Sequence, residues 1–213
     1  SLGDRQLIYL HMMLKNVNLG CLLAASISFA LNASADVEAG RVAVVNGEVR
    51  IGRDNEPGRL AKPNDVVSNL DVVKTAANGS AKVLFTDQSV MDVGPNSALK
   101  ISNYAVKDGE NRTGTFSLLY GKMRALVTQK VGADGKVEVR SGDAVMGVRG
   151  TEFVVDRGAT NSANTSVVVV SGLVQFSPPG GGAPIAIGAG QMLVAPTPPS
   201  SQGGATAGGG TAQ

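Results

Sequence analysis

From Asp36 onward the chain alternates apolar and polar residues over short runs, and each run stops at glycine, proline or an Asn/Asp turn signal. Period-two runs recurring roughly every ten residues are the pattern of an all-β sandwich, barrel or roll. Beyond the first 35 residues no long stretch has the 3.6-residue period of a helix. The expected fold is therefore all-β, with short antiparallel strands and hairpins in a sandwich or roll. Three strand–glycine–strand units recur, at residues 42–51 around Asn46-Gly47, 116–127 around Gly121 and 167–176 around Gly172. Each reads as a hairpin, and Asn-Gly is the favoured pair for a type I′ turn. The three form a weak internal repeat, which leaves a solenoid-like arrangement open.

Between these units, residues 66–75 read as one strand, and residues 81–85 and 90–93 as a pair closed by Thr86-Asp87-Gln88-Ser89. Residues 98–101 and 136–140 follow as strand and hairpin-like segments, and residues 185–195 as a closing strand pair around Gly188 and Gly190. Residues 52–65 and 108–114 read as polar loops. Residues 196–213 carry no charge and no aromatic ring. Such a tail buries too little surface to offset its ordering entropy and is expected to be disordered.

The start of the chain reads as a targeting segment. Met12-Met13-Leu14-Lys15 opens a basic region, residues 19–31 are apolar and small, and Ala33-Ser34-Ala35 matches an A-x-A cleavage site. The apolar run is shorter than the about 20 residues a membrane-spanning helix needs. Asn18-Leu19-Gly20 before Cys21 is a poor lipidation signal. Residues 1–35 are thus expected to comprise an upstream extension and a secretory signal peptide, residues 36–195 the β domain. The protein is expected to be exported, either periplasmic or secreted.

Removal of that leader would narrow the available chemistry. Cys21 and His11, the sole cysteine and histidine, would leave with it. No disulfide, thiolate nucleophile, Cys/His zinc site or histidine base would remain, and neither a metal nor a cofactor is expected. Without Arg5, Lys15 and Asp4, the 19 basic and 17 acidic residues fall to 17 and 16. That balance gives no electrostatic case for nucleic acid.

Gly147-Val148-Arg149-Gly150-Thr151-Glu152-Phe153 is the most distinctive segment. Paired glycines in a strand pattern indicate a bulge, bend or close backbone approach. Arg149 is expected to hold the bend by donating to buried carbonyls, with partner binding as the alternative. No phosphate-binding G-x-x-x-x-G-K-[ST] is present. Asp87 is read as a turn residue and Asp92 as a solvent-facing strand position, not as a catalytic pair. Phe116 and Tyr120 are read as core and edge strand, not as a sugar-binding platform.

The segment Gly147, Val148, Arg149, Gly150, Thr151 and Phe153 resembles the G-[VI]-R-G-T-x-F element of the FecR domain family. Residues 40–51, 73–75, 80–89, 118–126 and 167–174 with Gly190-Gln191 resemble further family elements in the same order, with Gln88 where glycine is usual. The resemblance implies a β domain of periplasmic regulators that sense an outer-membrane receptor and control an extracytoplasmic sigma factor. Here it implies an exported FecR domain without the cytoplasmic anti-sigma part. The expected function is non-enzymatic protein–protein interaction in envelope signalling or scaffolding, with an envelope or outer-membrane protein as partner. A module for a cell-envelope glycan or other surface ligand is the alternative, and a hydrolase the third reading.

Overall fold

A computed structural model describes residues 37–107, 111–127, 135–158 and 164–196. The expectations for the leader, and for the tail beyond Pro196, lie outside the described residues. Those residues form strands and turns without a helix. The first eight strands are β1 (Glu38–Asn46), β2 (Val49–Gly52), β3 (Arg59–Leu60), β4 (Val66–Ser68), β5 (Val72–Thr75), β6 (Ser80–Phe85), β7 (Val90–Val93) and β8 (Ser97–Lys107). There follow β9 (Asn111–Leu126), β10 (Lys136–Ser141), β11 (Ala144–Val148), β12 (Glu152–Arg157), β13 (Thr165–Ser171), β14 (Leu173–Ser177), β15 (Ile185–Gly188) and β16 (Met192–Ala195).

Pairing divides these strands between two sheets that share β9. The first runs β4-β1-β6-β7-β9-β12-β13-β16. The second runs β3-β2-β5-β8-β9-β10-β11-β14-β15. All pairs are antiparallel except β9 with β10, which is parallel. Residues up to Tyr120 of β9 pair with β8, while Gly121 to Leu126 pair with β12. The switch falls at Gly121, whose φ is 86°. A Cβ there would lie 2.2 Å from Ser97 Oγ and 2.5 Å from the Asn96 carbonyl oxygen, so only glycine fits.

The three expected hairpins around Gly47, Gly121 and Gly172 are not hairpins. β1 does not pair with β2, nor β13 with β14, and β9 passes through Gly121 unbroken. Each glycine marks a point where the chain steps from one sheet to the other. A type I′ turn needs positive φ at both central residues. Only Gly47 has it, at 61°, while Asn46 remains in β1. Residues 66–75 likewise split at Leu70 (φ 69°) into β4 and β5, one in each sheet. The last two strands also separate, β15 joining β14 and β16 joining β13. The expected loop at 52–65 contains β3, and the expected loop at 108–114 already belongs to β9 from Asn111. Nor is β9 an edge strand: it lies in the middle of both sheets. The pairing of β6 with β7 is a true hairpin.

The inward faces make one core. Alternating burial along β10 and β14 sends every second side chain inside. Phe153, Met91, Met123 and Val42 enter from the first sheet, and Phe176, Leu99, Leu118 and Met146 from the second. Each such side chain contributes about 1.5–3 kcal/mol on burial. Phe85, Tyr104 and Phe116 meet edge-on or tilted, with ring centroids 5.0–6.1 Å apart. Beside them Asp87 accepts from the Ser89 amide and hydroxyl, both at 2.9 Å, and pairs with Arg112 at 2.6 Å. The Tyr104 hydroxyl accepts from the Asp87 amide at 3.1 Å.

Candidate interaction surface

The structure puts the glycine–arginine segment at another sheet crossing, from β11 to β12. Val148 is buried between Val137 and Val174, and Phe153 is fully buried. Gly150 turns the chain at φ 61°. Thr151 is buried, and its hydroxyl donates to the Leu173 carbonyl at 2.9 Å. Its own carbonyl accepts from the Val127 amide at 3.0 Å. Gly172, at φ 85°, packs against this crossing so closely that a Cβ would sit 2.7 Å from the Gly150 carbonyl oxygen. Two crossings therefore stack here, and Thr151 ties them together.

The Arg149 side chain takes no part in that tie, although its carbonyl accepts from the Thr151 hydroxyl at 3.3 Å. That side chain is exposed, and among the described residues no carbonyl accepts from it. The expectation that Arg149 fastens the bend is corrected: Thr151 and the positive-φ glycines do so. Gly147 lies in β11 opposite Glu138 and Gln175 and is part-exposed. Asp87 and Asp92 are not brought together. Asp87 is buried against Arg112, while Asp92 sits half-exposed on the outer face of the first sheet and pairs with Lys82. Phe116 is core, and Tyr120 is part-exposed at the sheet switch.

The outer face of the first sheet changes character along one cross-strand row. The row runs Val44, Lys82, Asp92, Arg124, Val154, Val168, Met192. Its first part is charged and paired, with Lys82–Asp92, Arg124–Glu152 and Lys122–Asp156 spanning neighbouring strands. The guanidinium of Arg124 is held above its ordinary pKa by its hydrogen bond to Glu152. A cleft of about 420 Å³ lies over this charged part. The far part is apolar and open, with Val170 at 51%, Met192 at 61% and Val194 at 49% exposure.

That apolar part ends on β16, which pairs only with β13 among the described residues. On the second sheet β15 is the corresponding edge, with Ile185 exposed. No Asp, Glu, Lys or Arg occurs anywhere after Arg157, so both edges are uncharged. Soluble β proteins ordinarily guard edges with charge, proline, bulges or shortness. The opposite edges are guarded in this way. β3 has two residues, Arg59 donates to the Val66 carbonyl at 3.4 Å beside its pair with Asp65, and Asp71 accepts the Ser68 amide at 2.8 Å. The sandwich thus has one charged end and one neutral, apolar end. In the sequence this end is a charge-free final quarter, and it is the strand pairing that makes it two sheet edges.

Among the described residues, no group of His, Cys, Asp or Glu is placed to hold a metal ion. No described helix is long and apolar enough to cross a membrane.

Comparison with known proteins adds three observations. None of the curated sequences matches the chain significantly. Two solved structures of a "putative anti-sigma factor" from Parabacteroides distasonis are similar in fold, with TM-scores of 0.50 and 0.49 and 14% identity in each case. In both comparisons the match covers 60% of this chain and 55% of that one. The family model for the FecR protein matches residues 71–175, from the start of β5 into β14, so β1–β4, β15 and β16 lie outside it. The glycine–arginine crossing lies inside the matched region, so residues 71–175 are what this chain shares with the FecR family.

Proposed function

We propose that the protein is a non-enzymatic interaction module of cell-envelope signalling, exported to the periplasm or cell surface. Its β domain takes up an extended segment of an envelope protein along the β16 edge, which lies beyond the FecR-matched residues. The FecR family is regulatory, which supports a signalling-related role for the domain. The observation that carries the binding mode is the asymmetry of the two ends: charged and paired at β3 and β4, neutral and apolar at β15 and β16. A free edge supplies backbone donors and acceptors to an incoming strand. The outward Met192 and Val194, with Val168 and Val170 alongside, supply the apolar contacts that select it.

The test is site-specific photocrosslinking in the producing cell, with the reactive residue at position 194 or, as comparison, at position 62. The expected result is an adduct with one envelope protein from position 194 alone, lost when Met192 is replaced by Lys. Equal adducts from both positions, or attachment to wall material without protein, would overturn the reading. Export is checked on the same material by N-terminal sequencing, with Asp36 expected at or near the mature start.

A further inference from the structure

We infer that the surface around Gly147 and Arg149 is a carboxylate-binding site for an acidic peptide segment. It lies on the outer face of the second sheet, apart from the β16 edge. A cleft of about 400 Å³ is lined there by Lys136, Gly147, Arg149, Leu173 and Gln175.

Three observations carry this. The first is Gly147 itself, which packing inside the protein does not require. Its φ is not positive, and a Cβ placed on it would come no closer than 3.8 Å to Gln175 Cβ and 3.9 Å to the Gln175 carbonyl oxygen. Glycine weakens a strand, and in strands it often marks close approach by a ligand or another backbone. Gly121 and Gly172 differ, because backbone or neighbouring atoms already fill the space where their Cβ would be.

The second is the state of Arg149. Among the described residues it has no ion pair or hydrogen bond through its side chain, although it lines a cleft. In the cleft on the first sheet, by contrast, Lys82, Lys122 and Arg124 are each engaged by a carboxylate. An unengaged guanidinium keeps its planar fork of donors for a carboxylate arriving from outside.

The third is the electrostatic surround. Lys136 contacts Glu138 at 2.6 Å, and Arg140 contacts the same carboxylate at 3.3 Å. The hydrogen bond from Lys136 first, then that from Arg140, holds the Glu138 carboxyl below its ordinary pKa, so it stays charged. Two lysine/arginine charges therefore flank one acid there, and Arg149 adds a third cation. Glu138 lies opposite Gly147 in the register, and its charge is offset by the two cations that hold it, so the four groups together leave a net positive surround. The Gln175 side chain offers an amide donor, and the exposed Leu173 an apolar lip for the peptide's methylenes.

The test is an NMR titration of the β domain within the full chain, using the capped peptide Ac-Glu-Glu-Glu-NH2 at low salt. Saturable shifts at Arg149 and Gln175 are expected, weakened about tenfold or more in Arg149→Gln and partly restored in Arg149→Lys. Gly147→Val is expected to block the peptide while leaving the thermal midpoint unchanged or higher. No binding by the wild type, equal binding of Ac-Gln-Gln-Gln-NH2, equal binding of inorganic phosphate, or an unaffected Arg149→Gln would each overturn the assignment. Met192→Lys is expected to leave this titration intact, so loss of edge docking and loss of the cleft are read separately.

Discussion

Asp87 and Arg112 form a buried ion pair at 2.6 Å across 25 residues of sequence, joining the β6–β7 turn in one sheet to β9 in the other. Breaking such a pair leaves a charge without its partner in a desolvated place, which typically costs about 3–5 kcal/mol. Arg112→Met and Asp87→Ala are each expected to lose stability of that order in urea unfolding. The double variant is expected to recover part of the loss. The Arg124–Glu152 pair, whose guanidinium is exposed, provides the contrast, and Glu152→Gln is expected to leave the urea midpoint nearly unchanged.

Glycines in this protein differ in whether the backbone demands them, as Gly121 and Gly147 show. Gly121→Ala places a methyl group inside Ser97 and forces a left-handed φ on alanine. A loss of at least about 2 kcal/mol is expected, since the left-handed conformation alone costs roughly 1–2 kcal/mol. Gly147→Ala meets neither obstacle and is expected to gain about 0.5–1 kcal/mol from the reduced freedom of the unfolded chain. Thermal melts of the two variants beside the wild type decide it.

The uncharged β16 edge predicts concentration-dependent self-association. Sedimentation velocity at rising protein concentration is expected to show reversible oligomers for the wild type and monomer for Val194→Lys. The thermal midpoint should be the same for both, because Val194 is outward-facing and half-exposed.

Tyr104 predicts an alkaline limit. Burial first, and then the charge of Asp87, push its phenol from 10.0 up to about 12. Below about pH 10 the phenol is protonated in folded and unfolded chains alike, so its contribution is fully present. Between about pH 10 and 12 the unfolded chain releases the proton first, and stability falls as pH rises. The difference in urea midpoint between wild type and Tyr104→Phe is expected to be constant near pH 8 and to shift against the wild type across that window. A difference that stays flat to pH 12 would sink the assignment.

Strand positions were largely legible because period-two alternation reports burial directly, as in Lys136–Ser141 and Ala81 to Phe85. Strand partners were not. A positive-φ glycine after a small polar residue serves equally for a hairpin turn and for a corner between sheets, and local sequence does not distinguish the two. Thus Asn46-Gly47 and Ser171-Gly172 looked like hairpins and are corners. The role expected of Arg149 fails for a related reason. Its neighbours Thr151 and Gly150 hold the bend through one hydroxyl and one backbone conformation, which need no guanidinium. Asp87 was recognised as a turn residue, but its burial depends on Arg112 and Tyr104, which reach it only after two sheets have closed.

The passage of β9 through both sheets has a mechanical consequence. Among the described residues, no strand before β9 pairs with any strand after it, so this one strand is the seam between the two halves of the domain in both layers. A pull applied between a partner held at β16 and an attachment near β1 would load that seam directly. Tension would reach one half of the domain from the other through the rows of hydrogen bonds along β9, which would then act as the force-bearing joint.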